Sequence, residues 1–92
     1  MILQVVISEG AKKQLRKVPM HIVDKLLGWI RLVEEHGLEE VRKISGYHDE
    51  PLKGDRKGQR SIRLSSAYRA IYAVVNDVAS FVSVEEVHKH DY

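Results

Sequence analysis

The stretch that most restricts how this chain can fold runs from Pro19 to Gly37. Between these two residues, apolar side chains recur at helical spacing: Ile22, Val23, Leu26, Leu27, Trp29, Ile30 and Val33. This broad apolar stripe predicts a helix over Met20–His36 with one buried face, and it places Trp29 in the core. Proline is favoured where a helix begins and glycine just after it ends, so the flanking residues mark both boundaries.

The residues before this helix predict a strand and a first helix. Ile2–Ile7 is β-branched and apolar, with Gln4 as its only polar residue, which predicts a strand inside a sheet. Ser8 can cap the helix that follows. Pro19 separates the two helices, so we expect them to form a helical hairpin.

The second half of the chain is predicted to be mainly strands. A short helical turn over Leu38–Ile44 and a polar loop over Ser45–Glu50 come first. The predicted strands are Arg60–Ser65, Tyr68–Val75 and Val78–Val87. The order of one strand, two helices and three strands predicts an α+β domain, with the helices packed on one face of a mostly antiparallel sheet.

The size and composition of the chain limit its class. With 92 residues, 43% of them apolar, we expect a single domain over residues 1–92 with a small core. The chain has no cysteine, which excludes disulfides and thiolate metal sites. No apolar run approaches the roughly 18 residues that cross a bilayer, and the first residues lack a basic region typical of a signal peptide. We therefore expect a cytoplasmic protein.

Positive charge is concentrated in Pro51–Tyr72. This stretch has six basic residues and one acid, a local net charge of +5, in a chain whose net charge is only +2. The basic residues are Lys53, Arg56, Lys57, Arg60, Arg63 and Arg69. A basic stretch in an otherwise near-neutral small protein predicts a local surface that binds a polyanion such as nucleic acid.

Two of these arginines are predicted to converge. If the strands that contain Arg63 and Arg69 are neighbours joined by the short Ser66–Ala67 turn, the two side chains lie near facing positions. Together with Lys53 they would form a phosphate clamp, because guanidinium groups bind phosphate oxygens bidentately. The same charges would stabilise the transition state of a phosphoryl transfer.

Cleavage of RNA by its own 2′-hydroxyl also needs a base and an acid. Glu50 is the candidate base. His88 and His90 near the end of the chain are candidate acids, and Tyr92 could stack on a base or donate to a phosphate. This scheme needs no metal and no cofactor. A non-catalytic RNA-binding or ribosome-binding module would use the same basic stretch, and it remains an alternative.

Four local sequences resemble the RelE/ParE toxin superfamily, in particular its YoeB and HigB branches. They are Glu50–Gly54 (EPLKG), Ser61–Leu64 (SIRL), Tyr68–Tyr72 (YRAIY) and the tail that ends in Tyr92. The resemblance spans nearly the whole chain and implies the RelE-like fold. It also implies the toxin of a type II toxin–antitoxin system, which enters the ribosomal A site and cuts mRNA without a metal. The implied partners are a cognate antitoxin, mRNA and the ribosome.

The resemblance implies roles for individual residues. Glu50 matches the glutamate that resembles a general base in YoeB-like members, where HigB-like members have histidine. Lys53 matches a lysine shared by both branches. Arg63 and Arg69 match the paired arginines of the YoeB pattern.

The tail matches the family pattern less closely. Tyr92 matches a terminal tyrosine, but Asp91 precedes it here, whereas YoeB-like members have histidine at that place. The implied general acid is therefore His90, with Asp91 as a possible contributor. The residues expected to contact RNA are Arg56, Lys57, Arg60, His88 and Asp91.

The ParE branch provides a second alternative. Its members share the fold but poison DNA gyrase, so they need no acid–base pair. The presence of Glu50, Lys53 and the histidines of the tail argues against this alternative.

Overall fold

The secondary structure of the chain is defined by a computed structural model that describes residues 1–87. The strands are β1 (Gln4–Ile7), β2 (Glu50–Pro51), β3 (Gln59–Arg63), β4 (Tyr68–Val75) and β5 (Val78–Glu86). The helices are α1 (Glu9–Leu15), α2 (Met20–His36) and α3 (Leu38–Arg42). Two short 3-10 turns, Ser45–Tyr47 and Gly54–Arg56, flank β2. No helix within the described residues is long and apolar enough to cross a bilayer.

The five strands form one sheet in the order β1-β5-β4-β3-β2. β1 is parallel to β5, and all other neighbours are antiparallel. This arrangement confirms the predicted α+β fold, and it places β4 at the centre of the sheet. The predicted interior position of β1 is wrong, because β1 lies at an edge of the sheet. Its apolar composition reflects Val5 and Ile7, which pack against the core, whereas Val6 is exposed.

The predicted bounds of α2 are confirmed at both ends. Gly37 terminates the helix with φ 89° and ψ 150°, a region that is open to glycine and strained for other residues. The sequence did not predict β2, which is too short to show a strand pattern. The predicted loop Ser45–Glu50 contains a 3-10 turn in which Tyr47 is buried.

The core lies between the helices and one face of the sheet. From α2 it receives Trp29, which is fully buried as predicted. The ring centroid of Trp29 lies 5.2 Å from that of Tyr72 and 5.2 Å from that of Phe81. Because this face of the sheet is filled by apolar side chains, the opposite face is left for the polar residues of β3, β4 and β5.

Candidate active site

A row of charged residues crosses the sheet on the face opposite the helices. Arg63 of β3 pairs in register with Arg69 of β4, and Arg69 pairs with Glu85 of β5. Residues that face each other on neighbouring strands project to the same side of a sheet. Ser61 lies on that side as well, two residues before Arg63, and it pairs with Glu50 of β2.

All of these residues except Glu85 border a cleft with a volume of about 260 Å³. Its walls include Glu50, Arg63, Tyr68 and Arg69. The two arginines predicted to converge therefore do so, and the candidate base lies in the same cleft. A carboxylate beside two guanidinium groups can bind an anion and accept a proton from a hydroxyl next to it.

Glu85 holds Arg69 from the side away from Arg63. The Arg69 guanidinium donates to Glu85 Oε1 at 3.1 Å. Arg56 donates to both carboxylate oxygens of Glu85, at 3.0 and 2.8 Å, and the Ser83 hydroxyl donates to Oε2 at 2.8 Å. Like charges directly opposite each other destabilise a sheet, so Glu85 offsets the repulsion between Arg63 and Arg69.

These contacts keep Glu85 ionised. The hydrogen bonds from Arg56, supported by Ser83 and Arg69 and opposed by partial burial, lower the pKa of Glu85 to about 2. The carboxylate is therefore charged throughout the physiological range, and it neutralises part of the positive charge beside the cleft. Sequence reasoning missed Glu85, because its pairing with Arg69 depends on a register shift between Ile71 and Tyr72 that no local pattern indicates.

The structure places the other predicted basic residues differently. Lys53 is exposed and precedes the Gly54–Arg56 turn, but it does not line the cleft, so it is not brought together with the two arginines. Arg56 is engaged by Glu85, and Lys57 is exposed. Contacts of these residues with RNA stay predictions.

Arg60 lies on the core side of the sheet and holds the loop before β2. Its Nε donates to Asp49 Oδ1 at 2.6 Å, and the Asp49 side chain is fully buried. The Tyr72 hydroxyl donates to Asp49 Oδ2 at 2.5 Å, while Arg42 Nε donates to the Tyr72 oxygen at 3.4 Å. Asp49 thus anchors the backbone immediately before Glu50. The predicted contact of Arg60 with RNA stays a prediction, although this arginine has a structural partner.

Burial, reinforced by the hydrogen bond to Asp49, raises the pKa of Tyr72 to about 12. The hydroxyl therefore remains a proton donor to Asp49 over the whole neutral range. A buried carboxyl group that receives hydrogen bonds from Arg60 and Tyr72 is far less costly than an unpaired one. This arrangement fixes the loop that carries the candidate base.

The predicted tail residues lie outside the described part of the chain. They are His88, His90, Asp91 and Tyr92. Within the described part, one histidine that sequence reasoning missed lines the cleft, namely His48. The sequence feature that could have identified His48 is its position two residues before Glu50. Across residues 1–87, no three His, Cys, Asp or Glu side chains are grouped in a way that could hold a metal ion.

Solved structures with the same fold were found by comparison. YafQ from E. coli strain BL21(DE3) aligns with a TM-score of 0.73 at 19% identity, over 90% of this chain and 91% of YafQ. A YoeB/ParE toxin from Agrobacterium tumefaciens aligns with a TM-score of 0.70 at 19% identity, over 92% and 99% of the two chains.

A third structure is the toxin–antitoxin complex RelBE2 from Mycobacterium tuberculosis. One of its chains aligns with a TM-score of 0.66 at 18% identity, over 95% of this chain and 100% of that one. No protein-family profile and no curated protein sequence matches the chain. The protein thus shares its fold with these toxin structures, which confirms the fold that the resemblance implied.

Proposed function

We propose that this protein is the toxin of a type II toxin–antitoxin system and a ribosome-dependent endoribonuclease that cleaves mRNA. The observation that carries the proposal is the cleft shared by Glu50, Arg63 and Arg69. An endoribonuclease that uses the 2′-hydroxyl needs a proton acceptor and a cationic phosphate site, and these side chains supply both. The likeness to a YoeB/ParE toxin and to a chain of a toxin–antitoxin complex supports an antitoxin as partner.

The proposed reaction is an attack of the 2′-oxygen on the adjacent phosphorus. Glu50 accepts the 2′-hydroxyl proton as the new oxygen–phosphorus bond forms. Arg63 and Arg69 bind the non-bridging oxygens, where negative charge accumulates in the transition state. As its bond to phosphorus breaks, the 5′-oxygen takes a proton from a general acid, which gives a 2′,3′-cyclic phosphate and a 5′-hydroxyl. No metal takes part in this scheme.

The ribosome has a physical role in the proposal. The cleft is open and holds only about 260 Å³, so it surrounds little of an RNA chain. A surface that orients the mRNA would raise the rate by fixing the 2′-oxygen in line with the leaving oxygen. Lys53, Lys57 and the residues His88–Tyr92 are proposed to contact the RNA around this site. The activity would take place in the cytoplasm, where mRNA is translated.

The test is to induce the protein in bacterial cells and to map RNA 5′ ends across the transcriptome. We expect new ends within translated frames, at a fixed position in the codon, together with growth arrest. The double variant Glu50→Gln, Arg69→Ala should produce neither. The matched control is Glu34→Gln, Arg31→Ala on α2, which changes the same residue types away from the cleft.

Three results would contradict the proposal. Growth arrest without new mRNA ends would remove the nuclease activity, and DNA breaks in the same cells would favour the action on gyrase instead. Arrest that persists in a folded Glu50→Gln, Arg69→Ala variant would show that the cleft is not the active site. Salt-dependent RNA binding without cut products would favour a non-catalytic binding module.

A further inference from the structure

His48 has a constrained position at the wall of the cleft. It lies two residues before Glu50, and both residues line the cleft together with Arg63 and Arg69. The backbone of His48 is left-handed, with φ 46° and ψ 49°, and its N–H donates to the Ser45 carbonyl at 3.1 Å. The left-handed conformation is unfavourable for a non-glycine residue, so the surrounding structure must impose it.

Both chain neighbours of His48 are buried and held. On one side, Tyr47 is only 8% exposed, and the Lys25 ammonium lies 4.8 Å from the centre of its ring. On the other side, the carboxyl group of Asp49 receives hydrogen bonds from Arg60 and Tyr72. His48 itself is exposed and is one of the residues that line the cleft, whereas the side chains of its two neighbours are buried.

Among the cleft-lining residues within 1–87, no side chain other than His48 is of a type that donates a proton readily at neutral pH. Guanidinium groups stay charged and do not release their protons, and Glu50 is assigned as the base. A phenol is a much weaker acid than an imidazolium group. Imidazole is the side chain that gives up and regains a proton near neutral pH.

We propose that His48 is a catalytic residue, the general acid that protonates the leaving 5′-oxygen. This inference rests on the proposed function. As the 2′-oxygen bonds to phosphorus, Glu50 takes the 2′ proton. As the bond from phosphorus to the 5′-oxygen breaks, the His48 imidazolium gives its N–H proton to that oxygen. The step leaves a protonated Glu50 and a neutral His48, and exchange with water restores both.

The test measures single-turnover cleavage of mRNA on programmed ribosomes by purified protein. Two substrates are compared, one with a normal scissile linkage and one with sulfur in place of the bridging 5′-oxygen. A thiolate leaves without protonation, so the sulfur substrate does not need an acid. The key variant is His48→Asn, because asparagine also accepts a left-handed backbone and keeps the loop folded.

We expect His48→Asn to slow cleavage of the normal substrate by about 10²- to 10⁴-fold, the usual contribution of a general acid. Cleavage of the sulfur substrate should stay within a few-fold of the wild-type rate. Arg69→Ala should slow both substrates, because phosphate binding is needed for each. His21→Gln, an exposed histidine at the beginning of α2, is the control and should change neither.

The pH dependence gives a second readout that a merely structural role would not change. A general acid must be protonated, so the wild-type rate on the normal substrate should fall on the alkaline side. His48→Asn should remove that alkaline fall.

Several outcomes would overturn the assignment. Wild-type cleavage of the normal substrate by His48→Asn, or an equal loss on both substrates, would show that His48 is not the acid. A selective rescue of His90→Gln by the sulfur substrate, with no rescue of His48→Asn, would assign the acid to the tail. If the wild-type protein cut neither substrate on the ribosome, the proposed function itself would fall, and the role of His48 with it.

Discussion

At the scale of single residues, a few charged side chains form ion pairs with partners that are far away in the sequence. Glu85 pairs with Arg56, 29 residues away, and with Arg69, 16 residues away. These ion pairs tie the Gly54–Arg56 turn to the sheet and hold Arg69 at the border of the cleft. Asp49 has a comparable role on the core side, where it pairs with Arg60 and Tyr72.

The lowered pKa of Glu85 predicts a loss of stability in acid. A carboxyl group whose pKa falls on folding stabilises the protein above its unfolded value and loses that contribution as the pH falls through the folded value. Between the ordinary value of 4.5 and about 2, the wild-type protein should lose free energy of unfolding from this group. We expect about 1–2 kcal/mol, since solvent screens the half-exposed arginines.

The measurement is urea unfolding of the wild-type protein and of Glu85→Gln over this pH range. The difference in free energy of unfolding between the two should shrink as the pH falls, because both then carry a neutral side chain. A difference that stays constant from neutral pH to pH 2 would contradict the ion-pair explanation. Glu34→Gln, on the exposed face of α2, serves as the control and should show no comparable trend.

At the scale of secondary-structure elements, the boundary residues of α2 explain why this helix was predictable. Pro19 precedes its first turn, and the Gly37 N–H donates to the Val33 carbonyl at 2.8 Å. These effects depend on the local chain alone. The pairing of β3 with β4 was predictable for the same reason, because the short connection between them fixes Arg63 opposite Arg69.

Alanine substitutions at two glycines test this explanation of α2. Gly37→Ala should lower the free energy of unfolding by about 1–3 kcal/mol, because alanine is strained at this φ and ψ. A Cβ there would also come within 2.9 Å of the Met1 side chain. Gly28→Ala is the matched control inside the helix, where an added Cβ meets no atom within 4 Å.

Gly28→Ala should raise the free energy of unfolding by up to about 1 kcal/mol, the difference in helix propensity between the two residues. Chemical denaturation of both variants measures the contrast. Equal effects of the same sign would show that the backbone conformation at Gly37 is not what ends the helix.

At the scale of the whole molecule, the sheet separates two environments. Its helix side is the apolar core around Trp29, whereas its other side carries the charged row Arg63–Arg69–Glu85 and the cleft. The exposed lysines of α1, such as Lys13, belong to the helix side. The charge that is proposed to bind RNA in the cleft should therefore be separable from charge that only faces solvent.

The salt dependence of RNA binding tests this separation. Each phosphate contact adds a term of about 0.7 to the slope of log affinity against log salt concentration for a single strand. Arg63→Ala should reduce the slope by about that amount. Lys13→Ala, an equal loss of charge on α1, should leave it unchanged. Equal effects of the two substitutions on binding to a short single-stranded RNA would contradict a localised phosphate site.

The sequence by itself determined the order of the elements other than β2, the bounds of α2 and the opposition of Arg63 and Arg69, because each follows from residues close together in the chain. Only the tertiary structure decided which partners the other charged residues find. It turns Arg60 toward buried Asp49 and pairs Arg69 with Glu85.

The tertiary structure also sets Lys53 apart from the cleft and brings His48 to its wall. The register shift between β4 and β5 brings Glu85 opposite Arg69, and the burial of the Tyr47 and Asp49 side chains holds the loop that contains His48. Each of them depends on contacts between segments far apart in the chain, which no local sequence pattern encodes.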